Sequence, residues 1–155
     1  MSTKVKTQAD AINDVRNAII EFETTGAINE TLVSNVNFTT RDIQVRDFLM
    51  GVTTENHSAE LVANFITYLS TSAKDDEIAP LNAVLASYRY RLGDTTGAIE
   101  CLNKATEATP NYSLAILLNR VIGSDWAPSA FALMSETLHP KVVAGIEEGN
   151  ELEIA

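Results

Sequence analysis

The chain has 155 residues, 45% of them apolar, with 11 Lys and Arg against 21 Asp and Glu for a net charge of −10. That length and apolar share fit one domain that buries its own core, and they exclude wholesale disorder. No apolar run nears the roughly 20 residues that span a bilayer. The basic residues are scattered singly apart from Arg89 and Arg91, whereas nucleic acid and anionic membrane both need clustered Lys and Arg, so neither is an expected partner. The charge suits solubility or a basic protein partner. Met1-Ser2-Thr3-Lys4-Val5-Lys6 is charged but precedes no apolar signal region, so a cytoplasmic location is expected.

Val5, Ala9, Ile12, Val15, Ile19 and Phe22 recur at spacings of three and four, which predicts a first helix over residues 5–24 closed by Gly26. The same alternation fits a helix–helix seam between two copies, with packing inside its own domain the default. Asn29-Glu30 opens a short second helix through Leu32, Val33 and Val36, interrupted by Asn37-Phe38-Thr39-Thr40. Thr39 and Asp42 then suggest a capping box for a third helix carrying Ile43, Val45, Phe48, Leu49 and Met50 up to Gly51. Ser58 or Asn56 caps a fourth, whose wide apolar face (Leu61, Val62, Phe65, Ile66, Tyr68 and Leu69) predicts a central place. Thr71 to Glu77 reads as its polar end.

Pro80 suits the first turn of helix five, which presents Leu81, Val84, Leu85, Tyr88 and Leu92 on one face. Gly93 ends it and Asp94 caps helix six, which carries Ala98, Cys101, Leu102, Ala105 and Ala108 before Pro110. Small residues at Ala86, Ala98 and Ala105 allow the two backbones to approach closely, because bulk there pushes helix axes apart. Asn111-Tyr112-Ser113 opens a nearly all-apolar helix seven, expected in the core or under a partner. A short last helix runs from Trp126 through Phe131 and Met134 and stops before His139-Pro140. No alternating strand pattern is present. The class is all-α, a bundle of about seven to eight helices over residues 1–140, followed by an acidic tail at 141–155 that is expected to fray, with a docking helix or strand that orders on a partner as the alternative.

Chemistry-bearing residues are sparse. Cys101 is the only cysteine, which excludes an internal disulfide, and its place in a helix beside Leu102 reads as a buried apolar thiol. Asp75-Asp76-Glu77 reads as acids complementing a helix N-terminus, since no second cluster completes a metal shell. His57 and His139 are isolated in the sequence, and Gly93 and Gly97 lack the Lys-Ser/Thr ending of a phosphate loop. No catalytic, cofactor or metal site is expected. The residues proposed to contact a protein are Arg89, Tyr90, Arg91 and Tyr112, because positions 88–91 go round a helix and are not expected all to be buried. Tyr88, Leu92 and Leu102 are assigned to the core.

The hairpin resembles one tetratricopeptide unit, a repeat of about 34 residues, at Leu85, Ala86, Gly93, Ala98, Leu102, Ala105 and Pro110. It departs from that pattern at Asn82, where the family has tryptophan, and at Arg89, where it has tyrosine. Arg120 stands at a small-residue position of the next register, so no second repeat follows. From Arg41-Asp42 to about Met134 the chain also resembles the C-terminal part of an actinobacterial family, domain of unknown function 4192, also found in phages of those bacteria. The residues that carry this likeness are Arg46-Asp47, Ala79-Pro80, Gly93-Asp94, Ala98, Ala105 and Pro110-Asn111-Tyr112-Ser113-Leu114-Ala115. Longer members have an N-terminal half that this chain is expected to lack. The resemblance implies a helical fold and carries no activity, and a short version suits a phage protein acting inside its host. The functional expectation is a non-enzymatic protein-binding domain. Homodimerisation, an acidic imitation of nucleic acid and an enzyme with distant converging residues stand behind it in that order.

Overall fold

The structure, a computed structural model, describes residues 7–124, 126–147 and 149–154. Among them are eight α-helices and one 3-10 turn, and the only β pairing is an isolated antiparallel bridge between Thr7 and Glu151. The all-α expectation holds.

The first helix, α1 (Gln8–Thr25), starts where Thr7 Oγ1 accepts the Asp10 N–H at 3.0 Å and ends at Gly26, whose φ of +78° is the left-handed turn that glycine adopts without strain. Its expected first residues, Val5 and Lys6, lie outside the described residues. Ile12, Val15 and Ile19 are buried, and Phe22 meets the rings of Phe65 and Tyr68. The next helix, α2 (Glu30–Thr39), is capped by Asn29 and runs through the expected interruption. Asn37 is buried there because its amide donates to the Leu69 carbonyl at 2.9 Å, and the Thr39 and Thr40 hydroxyls bond back to Val36 and Asn37. Thr39 therefore ends α2 and does not cap α3 (Ile43–Met50); Asp42 does, accepting the Val45 N–H at 3.0 Å. After a 3-10 turn at Val52–Glu55, Ser58 caps α4 (Ala59–Ser70).

Helix α5 (Asp75–Arg91) begins five residues before the expected start at Pro80. Asp75, Asp76 and Glu77 form its first turn, where acids favour the positive helix end, and the Glu77 carboxylate accepts the Lys74 N–H at 3.0 Å. Pro80 thus lies inside the helix and removes one bond, to the Asp76 carbonyl. The central helix is α5 rather than α4: it touches α2, α3, α4, α6 (Thr95–Ala108), α7 (Ser113–Gly123) and α8 (Pro128–Glu147). Burial on nearly every side explains why no single stripe runs along it.

The α5–α6 hairpin is the most extensive helix pair in the fold. Gly93 turns the corner at φ +85°, and Asp94 caps α6 by accepting the Gly97 N–H at 2.9 Å. A Cβ at position 97 would collide with that carboxylate, so this glycine serves the cap. Ala86, Ala98 and Ala105 are buried, and Thr109 and Pro110 close the second helix. Helix α7 buries Leu114, Ala115 and Leu118 and leaves Leu117 exposed, so part of its apolar surface stays outside the core.

The largest departure is at the C-terminal end. Helix α8 passes through His139-Pro140 to Glu147, where a stop was expected. Pro140 is exposed, so the Glu136 carbonyl that loses a partner can be satisfied by water. His139 and Ile146 are buried beneath it. Residues 149–154 then return as an extended segment to the start of α1. The expected frayed tail is instead packed, because Ile146 and Leu152 find apolar cover and the backbone finds hydrogen-bond partners.

Candidate protein-binding surface

The four residues expected to form one exposed patch are dispersed. Arg91 has a side chain only 4% exposed: it donates to the Met50 carbonyl at 3.2 Å and to Thr53 Oγ1 at 3.1 Å, and it pairs with Glu136 at 3.3 Å. Its guanidinium lies over the Tyr88 ring, 4.7 Å from the centroid. Tyr90 is buried, with its hydroxyl donating to the Trp126 carbonyl and its ring edge-on to Phe131. Arg89 is half-buried beside Asp94. Tyr112 lies elsewhere, its hydroxyl accepting from Arg46 at 3.2 Å. The patch fails because α8 covers the side of α5 that was assigned to solvent. Tyr88 and Leu102 are core as expected, whereas Leu92 is 47% exposed because it lies just past the last turn of α5.

What fixes α8 is a polar cluster that local sequence spacing does not reveal. Glu55 accepts from Arg16 Nε at 2.8 Å and Arg16 Nη2 at 2.9 Å, and its Oε2 lies 3.0 Å from His139 Nε2. Both Arg16 and His139 lie against the Phe48 ring. His139 Nδ1 is buried without a partner and is pressed on Gly51, where a Cβ would come within 2.7 Å. That packing leaves no space for a substrate atom at Nδ1. Among the described residues no group of three or more His, Cys, Asp or Glu could hold a metal. Burial pushes the Cys101 thiol up, which suits an inert apolar cysteine.

Burial alone would raise the Glu55 carboxyl, but hydrogen bonds from Arg16 and His139, with their charges, hold it below its ordinary value of 4.5. A carboxyl depressed in the folded state contributes stability above its unfolded value and loses it as pH falls through the folded one. Thermal unfolding followed by circular dichroism is therefore expected to show Tm falling between about pH 5 and 3, with a shallower fall in Glu55→Gln. Equal slopes in the two proteins would remove Glu55 from the acid response.

With its inner face fastened, α8 turns an apolar face outward. Trp126, Ala130, Leu133, Met134, Thr137 and Leu138 line an open groove of about 480 Å³. Leu133 is 66% exposed, Leu138 46% and Trp126 43%, so three large apolar side chains stand in solvent along one stretch of the chain. The bond from Tyr90 to the Trp126 carbonyl anchors one end. These residues all precede His139 and fall on the predicted last helix; sequence reasoning missed the face because contacts remote in sequence decide which side of that helix is covered. A smaller depression of about 230 Å³ gathers Arg41, Asp76, Pro80, Thr109 and Tyr112, drawing together segments that carry the family likeness.

No helix among the described residues is long and apolar enough to cross a membrane. No curated protein and no solved structure matches the chain. A model of the family described as Domain of unknown function (DUF4192) matches residues 2–129, reaching upstream of the 41–134 stretch on which the resemblance was read. It ends two residues into α8, so Ala130, Leu133, Met134, Thr137 and Leu138 lie past the matched stretch. The match takes in α1 through α7, and the chain belongs to this family.

Proposed function

We propose that this chain is a non-enzymatic protein-binding helical domain, adaptor-like or inhibitor-like, whose contact surface is the outer face of α8. The observation that carries the reading is the groove between Trp126 and Leu138, where large apolar side chains stand exposed at helical spacing on a helix fixed from behind. Such a surface suits an amphipathic element of another protein, and the charge of −10 favours a partner with a basic rim. The α5–α6 hairpin is tetratricopeptide-like in its small-residue pattern, and α8 is held against α3, the 3-10 turn, α5 and α1. Action in the cytoplasm of a bacterial host, on a host protein during phage infection, belongs to the same proposal and rests on the family resemblance. Self-association is the second reading.

The test is affinity capture from the natural cell with the native chain and with Leu133→Asp plus Leu138→Asp. Both positions are exposed, so folding changes little. The captured partner is expected to fall by about tenfold or more in the double variant, as for loss of interface anchors, and to persist in Arg89→Glu. Unchanged capture by the double variant would overturn the reading.

A further inference from the structure

The segment that follows α8 is seated in a site of its own. Gly149, at φ +81°, begins it, and Thr7 pairs with Glu151 in an antiparallel bridge. The Gln8 N–H donates to the Asn150 carbonyl at 2.9 Å, and the Glu153 N–H donates to Asp42 Oδ2 at 2.7 Å. Asp42 is fully buried and held before the segment arrives, since it caps α3 and takes the Gln8 amide on both oxygens at 3.2 and 3.0 Å. Gln8 Oε1 is buried without a partner, an acceptor of the seat left unused. Glu151 and Glu153 are exposed, Leu152 and Ile154 are half-buried, and Leu152 packs against the core. The seat therefore recognises an extended backbone with one apolar side chain.

We propose that this seat is an exchangeable peptide site, filled in one copy by its own residues 149–154, and that the same segment of a second copy takes it to give a strap-exchanged dimer. The occupant is argued from the fit already present: every hydrogen bond and the Leu152 contact are kept when an identical segment arrives from another molecule. A strap of six residues with one apolar contact opens at low cost compared with the helices. The short tether favours the internal arrangement at an effective concentration of order millimolar, so exchange rises with protein concentration. The exchange does not use the α8 groove.

Mixing two single-cysteine variants of the full chain, Thr7→Cys and Glu151→Cys, tests it. Neither forms the 7–151 disulfide alone, and Cys101 is buried. After oxidation at about 100 μM, a disulfide-linked heterodimer is expected above the roughly twofold excess over either homodimer that random pairing gives, with about a tenth of the chains exchanged against a millimolar tether. It should vanish when the Glu151→Cys chain also carries Glu153→Pro, which lacks the N–H given to Asp42. It should be unaffected by Leu133→Asp plus Leu138→Asp. The double variant Thr7→Cys plus Glu151→Cys should close within one chain when dilute. Absence of the heterodimer, its persistence with Glu153→Pro, or failure of the dilute double variant to close would each overturn the proposal. Sedimentation of the chain without added cysteines provides a readout independent of Thr7: its dimer fraction should fall with Glu153→Pro, and an unchanged fraction would likewise overturn it.

Discussion

Asp42→Ala is expected to destabilise the protein by about 2–4 kcal/mol, because one carboxylate serves three elements. It caps α3 through Val45, holds the Gln8 amide at the start of α1, and receives the Glu153 N–H of the C-terminal segment. Alanine removes the cap, which is worth about 1 kcal/mol. It also leaves the buried Gln8 amide without an acceptor, at about 1–3 kcal/mol before relaxation, while the Glu153 N–H of the exposed strap can turn to water. Asp42→Asn separates these contributions: its carbonyl oxygen can still cap α3 and accept from Gln8, while its amide nitrogen cannot accept from Glu153. Urea unfolding should rank wild type above Asp42→Asn and Asp42→Ala last. Amide exchange at Glu153 should accelerate in both variants before any change in α5. An Asp42→Ala midpoint equal to wild type would remove the carboxylate from its central place.

Tyr88→Ala is expected to cost about 3–5 kcal/mol, the range for deleting a large buried aromatic side chain. Tyr88 is fully buried on the central helix, and its hydroxyl donates to the Leu49 carbonyl at 2.7 Å and the Met50 carbonyl at 2.9 Å. Those carbonyls end α3, where no helical N–H follows to receive them. Its ring also supports the Arg91 guanidinium that ties α5 to Thr53 and Glu136. Tyr88→Phe keeps the ring and loses only the hydroxyl, so its expected cost is about 1–3 kcal/mol. The gap between the two variants in chemical denaturation measures packing against hydrogen bonding. Equal losses would mean that the hydroxyl, and not the ring, holds the junction.

Elements whose signals are local were legible from the residues alone. The stripe from Ala9 to Phe22, the glycine at position 26 and the Gly93-Asp94 corner combine periodicity with turn or cap chemistry, and the structure places them accordingly. The two prolines misled for one physical reason. Proline favours a helix start and usually ends a helix, yet Pro80 sits inside α5 and Pro140 inside α8, where tertiary packing outweighs one lost hydrogen bond. The binding patch was misread because its fate depends on contacts remote in sequence: Arg91 meets Glu136, Tyr90 meets Trp126, and Glu55 meets His139. No local spacing shows such pairings. The outer face of α8 was hidden for the same reason: Trp126 to Leu138 fall on a predicted helix, and only those remote contacts decide which of its sides is covered.

The central claim is that the outer face of α8 is where a protein partner sits. A benzophenone side chain in place of Leu133, irradiated in extract of the natural cell, tests it most directly, with a second chain carrying the same group in place of exposed Ile43 on α3. Capture of a defined protein from position 133 and not from position 43 is the result expected. The same adducts from both positions, or none from 133, would contradict it.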